Sequence, residues 1–179
     1  MVKKYEVAVP DFFKTYINAI EENDLQEAIA NNTRRFRKLL KKIPRKKIDY
    51  AYAEGKWTIK ELLQHIIDAE RVFVYRALTF GRRDTAQLPG FDENAWAVTA
   101  KASNRKWKDL VEEFRALRAA NELFFASLDE EQLLQSGSAN NSIISVAGLG
   151  FVSAGHVAHH MRIIRERYLG EELKKKRKK

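Results

Sequence analysis

Three of the four histidines, His156, His159 and His160, fall within five positions of GHVAHHMRIIRERYL (155–169), and the fourth is His65 in ELLQHIIDAER. His156 and His160 are spaced i, i+4, which on a helix brings two imidazoles within reach of one metal ion, as in H-E-x-x-H. A third histidine from another helix would complete three nitrogen ligands. With no cysteine in the chain there is no thiolate to close the shell, and an open fourth position marks a catalytic rather than a structural zinc-type site. The competing reading is that each histidine is a separate core residue satisfied by its own hydrogen bond. Other chemistries lack their residues: HVAHH carries Val157 where a metalloprotease needs its glutamate. Neither a G-x-S-x-G elbow nor a glycine-rich phosphate loop is present.

Helix phase tells the histidines apart. With His156 at zero, His160 falls at roughly +40° and His159 at about −60°. Leu149, Val152 and Ile163 lie near zero, and Val146, Val157 and Ile164 at roughly +80° to +100°, so the apolar stripe runs through His156 and His160. His159 leaves it toward Arg162 and Glu166. His65 shares its face with Leu62, Ala69, Val72 and Phe73 and also points inward.

The elements that must position these residues read as helices. The sequence predicts a short helix near 11–21, a second from Asp24 to Ile43 ahead of Pro44, and a third opened by Thr58 and Glu61 as a T-x-x-E capping box. The third runs to Phe80. A fourth covers 104–127, with a short piece at 129–135, and the last starts after Ser145 and ends near Leu169 before Gly170. Residues 81–103 form a long, ordered connection. The fold class expected is all-α: a four-helix bundle with an additional N-terminal helix, a long crossover loop and no sheet.

With 179 residues, 45% hydrophobic and 32% charged, the chain reads as one soluble globular domain over 1–173. Six of the charges behind the net +9 belong to KKKRKK (174–179), leaving +3 for the body. That run is expected to be a disordered basic tail making at most weak contact with nucleic acid. No apolar run is long enough to span a membrane, and MVKKYEVAVPDFFKTY lacks a signal-peptide core, so the expectation is a cytoplasmic protein.

The segments AEGKWTIKELLQHIIDAERVFVYRAL, LPGFDENAW and SANNSIISVAGLGFVSAGHVAHHMRIIRERY stand in an order that resembles the DinB-like (DinB/YfiT-like) superfamily of bacterial candidate metalloenzymes. The resemblance covers roughly 24–169. It implies a four-helix bundle with a three-histidine metal site, one ligand from the helix after the Trp motif and two from an H-x-x-x-H in the last helix. Those positions are His65, His156 and His160. It further implies one divalent ion, zinc or nickel, and a thiol-dependent S-transferase or a hydrolase acting on a small molecule. A low-molecular-weight thiol would then be the cosubstrate and bring the sulfur that the protein lacks. Homodimers are common in the family. The alternative is a non-enzymatic, stress- or damage-associated binding protein with a structural or vestigial metal.

Around this site, Asp68 is a candidate partner for the non-ligating nitrogen of His65, with Glu61 as competitor. Arg76, Asp92, Glu93, Asn94 and Trp96 are candidate pocket-lining groups. Arg76 is also expected to form an interhelical salt bridge, Trp96 to pack the long loop down, and Trp57 to act as a helix-entry staple without chemistry. No residue is singled out as the general base.

Overall fold

Thr58 and Glu61 cap the helix that carries His65. The Glu61 amide donates to Thr58 Oγ1 (3.2 Å) and the Thr58 amide to a Glu61 carboxylate oxygen (2.7 Å), satisfying two donors that the first turn leaves without partners. The computed structural model describes residues 2–170, so the expected tail at 174–179 lies outside the described residues. In chain order it contains α1 (Lys14–Asn18), α2 (Leu25–Leu40), α3 (Ile59–Gly81), α4 (Glu93–Thr99), α5 (Trp107–Ala126), α6 (Glu130–Leu134), β1 (Ser136–Ala139), β2 (Ser142–Ser145) and α7 (Val146–Ile163). A π-helical turn over Ile164–Tyr168 extends α7. No helix among the described residues is long and apolar enough to cross a membrane.

The four long helices pack in a ring: α7 lies against α2 and α3, and α5 closes the other side against the same two. Two local signals place α2 and α7. Asp24 accepts the Glu27 amide at 3.0 Å to start α2, and Ser145 Oγ accepts the Gly148 amide at 3.1 Å to start α7. The core falls into two clusters. One lies around Phe73, Phe80, Phe125 and Phe151, and the other around Phe36, Leu63, Phe114 and Ile164.

α7 is the central helix. Every residue from Val146 to Val157 is buried, so over that length its whole circumference is covered rather than one stripe. Small residues allow the close approach. A Cβ on Gly155 would lie 2.2 Å from the Tyr16 carbonyl oxygen of α1, so α1 can seat beside His156 only over glycine. A buried Glu70–Arg118 ion pair (Nε–Oε2, 3.3 Å) joins α3 to α5, and Asn121 Nδ2 donates to Glu70 Oε1 at 2.7 Å. Burial shifts the Glu70 carboxyl upward in pKa, against the pull of Arg118 and Asn121.

The expectation of no sheet is corrected. β1 and β2 pair antiparallel from Ser136↔Ser145 to Ala139↔Ser142, and the turn uses Asn140 and Asn141, both at positive φ (51° and 58°). That pair of left-handed residues matches the twist a two-residue hairpin requires, and asparagine tolerates it. Leu88 adds to the edge through Leu88 N to Ser138 O (2.9 Å) and Asn140 N to Leu88 O (3.0 Å). The long connection is thereby docked onto the hairpin. It is ordered, as expected, and contains α4.

The tight seat of α1 is testable by substitution. Gly155→Ala should lower thermal stability by about 1–3 kcal/mol through overpacking. Gly81→Ala, whose new Cβ would meet nothing closer than 3.8 Å, should leave the melting temperature unchanged or raise it. Equal effects in thermal denaturation would contradict the packing described.

Candidate metal centre

His65 stands on α3, two turns past the capping box, and His156 and His160 stand one turn apart on α7. Their Nε2 atoms converge: His65 to His156 is 3.0 Å and His160 to His156 is 3.0 Å. A potential ligand atom from each lies within 4.8 Å of the others. The helix phases read from the sequence therefore bring these three together. His159 stays outside the cluster, half-buried, with its ring 5.3 Å from that of Tyr16.

Hydrogen bonding among the rings cannot satisfy this arrangement. A ring nitrogen has either one N–H or one lone pair in its plane, so His156 Nε2 cannot serve both neighbours at 3.0 Å. One cation shared by the three lone pairs can. In a tetrahedral zinc site with bonds of roughly 2.0–2.1 Å, ligand nitrogens sit about 3.3 Å apart, close to the two 3.0 Å separations from His156. Among the described residues, His160 Nδ1 is buried without a hydrogen-bond partner, so none of them fixes the tautomer of that ring.

Electrostatics keep the rings neutral. Burial lowers the His65 pKa from 6.5 to about 4, against the opposing charge of Glu93. Burial also holds His156 and His160 well below 6.5, and the neighbouring histidines push in the same direction. Neutral imidazole is the form that ligates a metal.

A cavity of about 340 Å³ opens onto the three rings. Phe12, Phe13, Tyr16, Trp57, Phe73 and Phe91 form its apolar walls, and Arg76 and Glu93 bring the charged groups. Ala139, Asn140 and Ile144 of the hairpin close one side. Among the described lining residues Glu93 is the only carboxylate, and its charge reaches both His65 and Tyr16.

Several expected site residues are placed elsewhere. Asp68 accepts from Gln64 Nε2 (2.9 Å) and lies 3.6 Å from Arg71, so its polar contacts point away from His65. Asp92 is the N-cap of α4, accepting the Asn94 and Ala95 amides, and does not line the cavity. Asn94 borders a second cleft that also reaches His160. Trp96 packs against Phe91 in a tilted pair (ring centroids 4.8 Å) beside an outer hollow shared with Asp68. Arg76 lines the cavity as expected but forms no salt bridge among the described residues. Its Nη2 donates instead to the Pro89 carbonyl at 2.7 Å.

Trp57 does more than staple a helix. Its ring packs on His65 at 4.7 Å between centroids and forms a cavity wall. Phe12, Phe13, Tyr16 and the hairpin were also missed, because only tertiary packing brings the N-terminal segment and the hairpin to this cavity. Glu93, a pocket-lining candidate in the DENAW segment, does line the cavity.

A family model described as the DinB superfamily matches residues 28–164, a span that contains all three converging histidines. The chain belongs to the DinB superfamily. A relative from Oceanobacillus iheyensis, named as a candidate metal-dependent hydrolase, is 28% identical over 142 residues, covering 76% of this chain and 79% of that protein. Among solved structures, YfiT from Bacillus subtilis aligns with a TM-score of 0.59 at 16% identity over 89% of this chain and 90% of its own. YfiT is described as a probable metal-dependent hydrolase with an unusual four-helix bundle topology. The mycothiol-dependent maleylpyruvate isomerase aligns with a TM-score of 0.65 at 11% identity, over 89% of this chain but 62% of that longer one. At those identities the two structures establish the shared bundle fold.

The buried, neutral histidines make stability depend on pH. The folded-state pKa of His65 is depressed, so between 6.5 and about 4 the unfolded chain binds more protons than the folded one. Metal-free protein should therefore be at full stability from this source above pH 6.5 and lose it progressively as pH falls toward 4. His65→Asn should flatten that part of the profile in melting measurements from pH 7.5 to 4.5. An unchanged slope in the variant would show that His65 does not carry the effect.

Proposed function

We propose that this DinB protein is a divalent-metal-dependent enzyme acting on a small molecule, with His65, His156 and His160 as the ligands of one ion. The observation that carries the reading is the convergence of three Nε2 atoms whose mutual spacing no hydrogen-bond scheme satisfies. Zinc and nickel both suit an imidazole donor set. When bound, the ion supplies Lewis acidity that lowers the pKa of a water or thiol nucleophile.

The chain's own residues supply the rest. The aromatic walls exclude water and bind the apolar part of a substrate next to the three rings. Glu93 is the proton acceptor at the cavity, its carboxylate charge felt at His65 and Tyr16. Structural zinc sites close with four protein ligands, whereas here three nitrogens face open space, which favours catalysis over a purely structural ion. Hydrolysis accords with the names of the two hydrolase relatives. Transfer from a low-molecular-weight thiol accords with the mycothiol-dependent neighbour and with a chain that has no cysteine of its own.

Metal analysis of the purified variants tests the ligand set. His160→Ala should abolish stoichiometric metal, and His159→Ala should retain it. The reverse result, or metal retained in both, would contradict the assignment. Ester hydrolysis in buffer alone, set against electrophile conjugation in added thiols, then separates hydrolase from transferase.

A further inference from the structure

Arg76 stands apart from the other buried cations. It is 5% exposed, yet no carboxylate among the described residues pairs with it. Arg118, equally buried, has Glu70, and the buried Lys60 has Asp49 at 2.7 Å. The one acceptor given to Arg76 is the Pro89 carbonyl, which uses one N–H of the five that a guanidinium carries. Burial pushes its pKa downward. A buried charge without a counter-charge carries an uncompensated desolvation penalty, which an anionic ligand would relieve.

The position of Arg76 says where that partner binds. The side chain borders the same cavity as the three histidines, a cavity whose lining includes Ala69 and several aromatic rings, and it also borders the outer hollow beside Trp96. Pro89, which holds the guanidinium, is fixed in turn by Leu88 pairing with the hairpin, so the cation is held in place before any ligand arrives. Glu93 lines the same cavity, its charge felt at His65 and Tyr16, while the Arg76 guanidinium is held on the Pro89 carbonyl.

We propose that the cavity takes a small apolar carboxylate, with the carboxylate on Arg76 and the remainder of the molecule extending over the aromatic wall toward the three histidines. One guanidinium balances one negative charge, which favours a carboxylate over a doubly charged phosphate ester. The assignment rests on the cavity being the substrate site of the enzyme described above. The binding of the anion to Arg76, however, does not require that metal chemistry occur.

Calorimetric titration of the protein as purified, with benzoate, benzamide and phenyl phosphate as probes, tests the assignment. Benzoate should bind at least about tenfold more tightly than neutral benzamide, the difference expected for one charge-assisted hydrogen-bonded contact. It should also bind more tightly than phenyl phosphate. Arg76→Met should abolish the preference for benzoate with metal content unchanged, and its melting temperature without ligand should be no lower than that of the wild type. Arg76→Lys, which keeps the charge, should retain part of the preference and serves if the methionine variant does not fold. The preference should survive chelation, so loss of the metal reading leaves this test intact. The proposal is overturned if the wild type fails to prefer benzoate. It is equally overturned if Arg76→Met binds benzoate as the wild type does, or if the preference disappears on chelation and persists in Arg76→Met.

Discussion

The convergence of three imidazole nitrogens across the α3–α7 contact is the constraint on which the rest of the structure depends. Each ring is aimed by its helix, so the convergence exists only while the phase and height of α3 against α7 are held. The capping box at Thr58 and Glu61 sets where α3 begins, and Ser145 sets where α7 begins. At the far end, Tyr168 in the π turn donates to the Trp57 carbonyl at 2.5 Å, tying the end of α7 to the segment that enters α3. Helix starts, a cross-brace and glycine-mediated packing at Gly155 together hold the three rings in this arrangement.

Burial of these rings is both a cost and a preparation. Desolvation suppresses their protonation, and nearby histidines reinforce the effect, so the cluster is kept neutral in water where a free imidazole would be partly charged. Neutral nitrogens crowded at 3.0 Å with no hydrogen-bond solution are a poor core and a good ligand set. The same contrast applies to Arg76, whose charge is satisfied only in part by the protein. In both places the chain leaves an interaction incomplete beside one cavity, while elsewhere, as at Glu70 and Arg118, it buries charges in opposed pairs.

The helical parts of this arrangement were legible in the sequence because they are local. Periodicity and caps gave the four long helices, and a rotation of about 100° per residue separated His160 from His159. The hairpin was not legible: its strands are four residues each, half of them serine, and offer no alternation of apolar and polar positions. Its one local mark was the Asn140–Asn141 pair, whose left-handed conformation only the fold reveals. The far walls of the cavity escaped for a different reason. Phe12, Phe13 and Tyr16 arrive from the N-terminal segment and Phe91 from the long connection, so no periodicity links them to the histidines. Arg76 was legible as a residue facing the pocket, but the absence of a carboxylate beside it is a tertiary fact. Asp68 and Asp92 illustrate the converse, since carboxylates near a site in sequence were taken up by Gln64 and by the first turn of α4.

X-ray absorption spectroscopy at the metal edge, on protein carrying one equivalent of zinc, tests the three-histidine centre most directly. The account predicts a first shell with three imidazole nitrogens at about 2.0–2.1 Å and a further light-atom ligand not supplied by the protein. Imidazole scattering should fall when His65 is replaced by alanine. A shell made of oxygen ligands alone, or one unchanged by removal of His65, would contradict it.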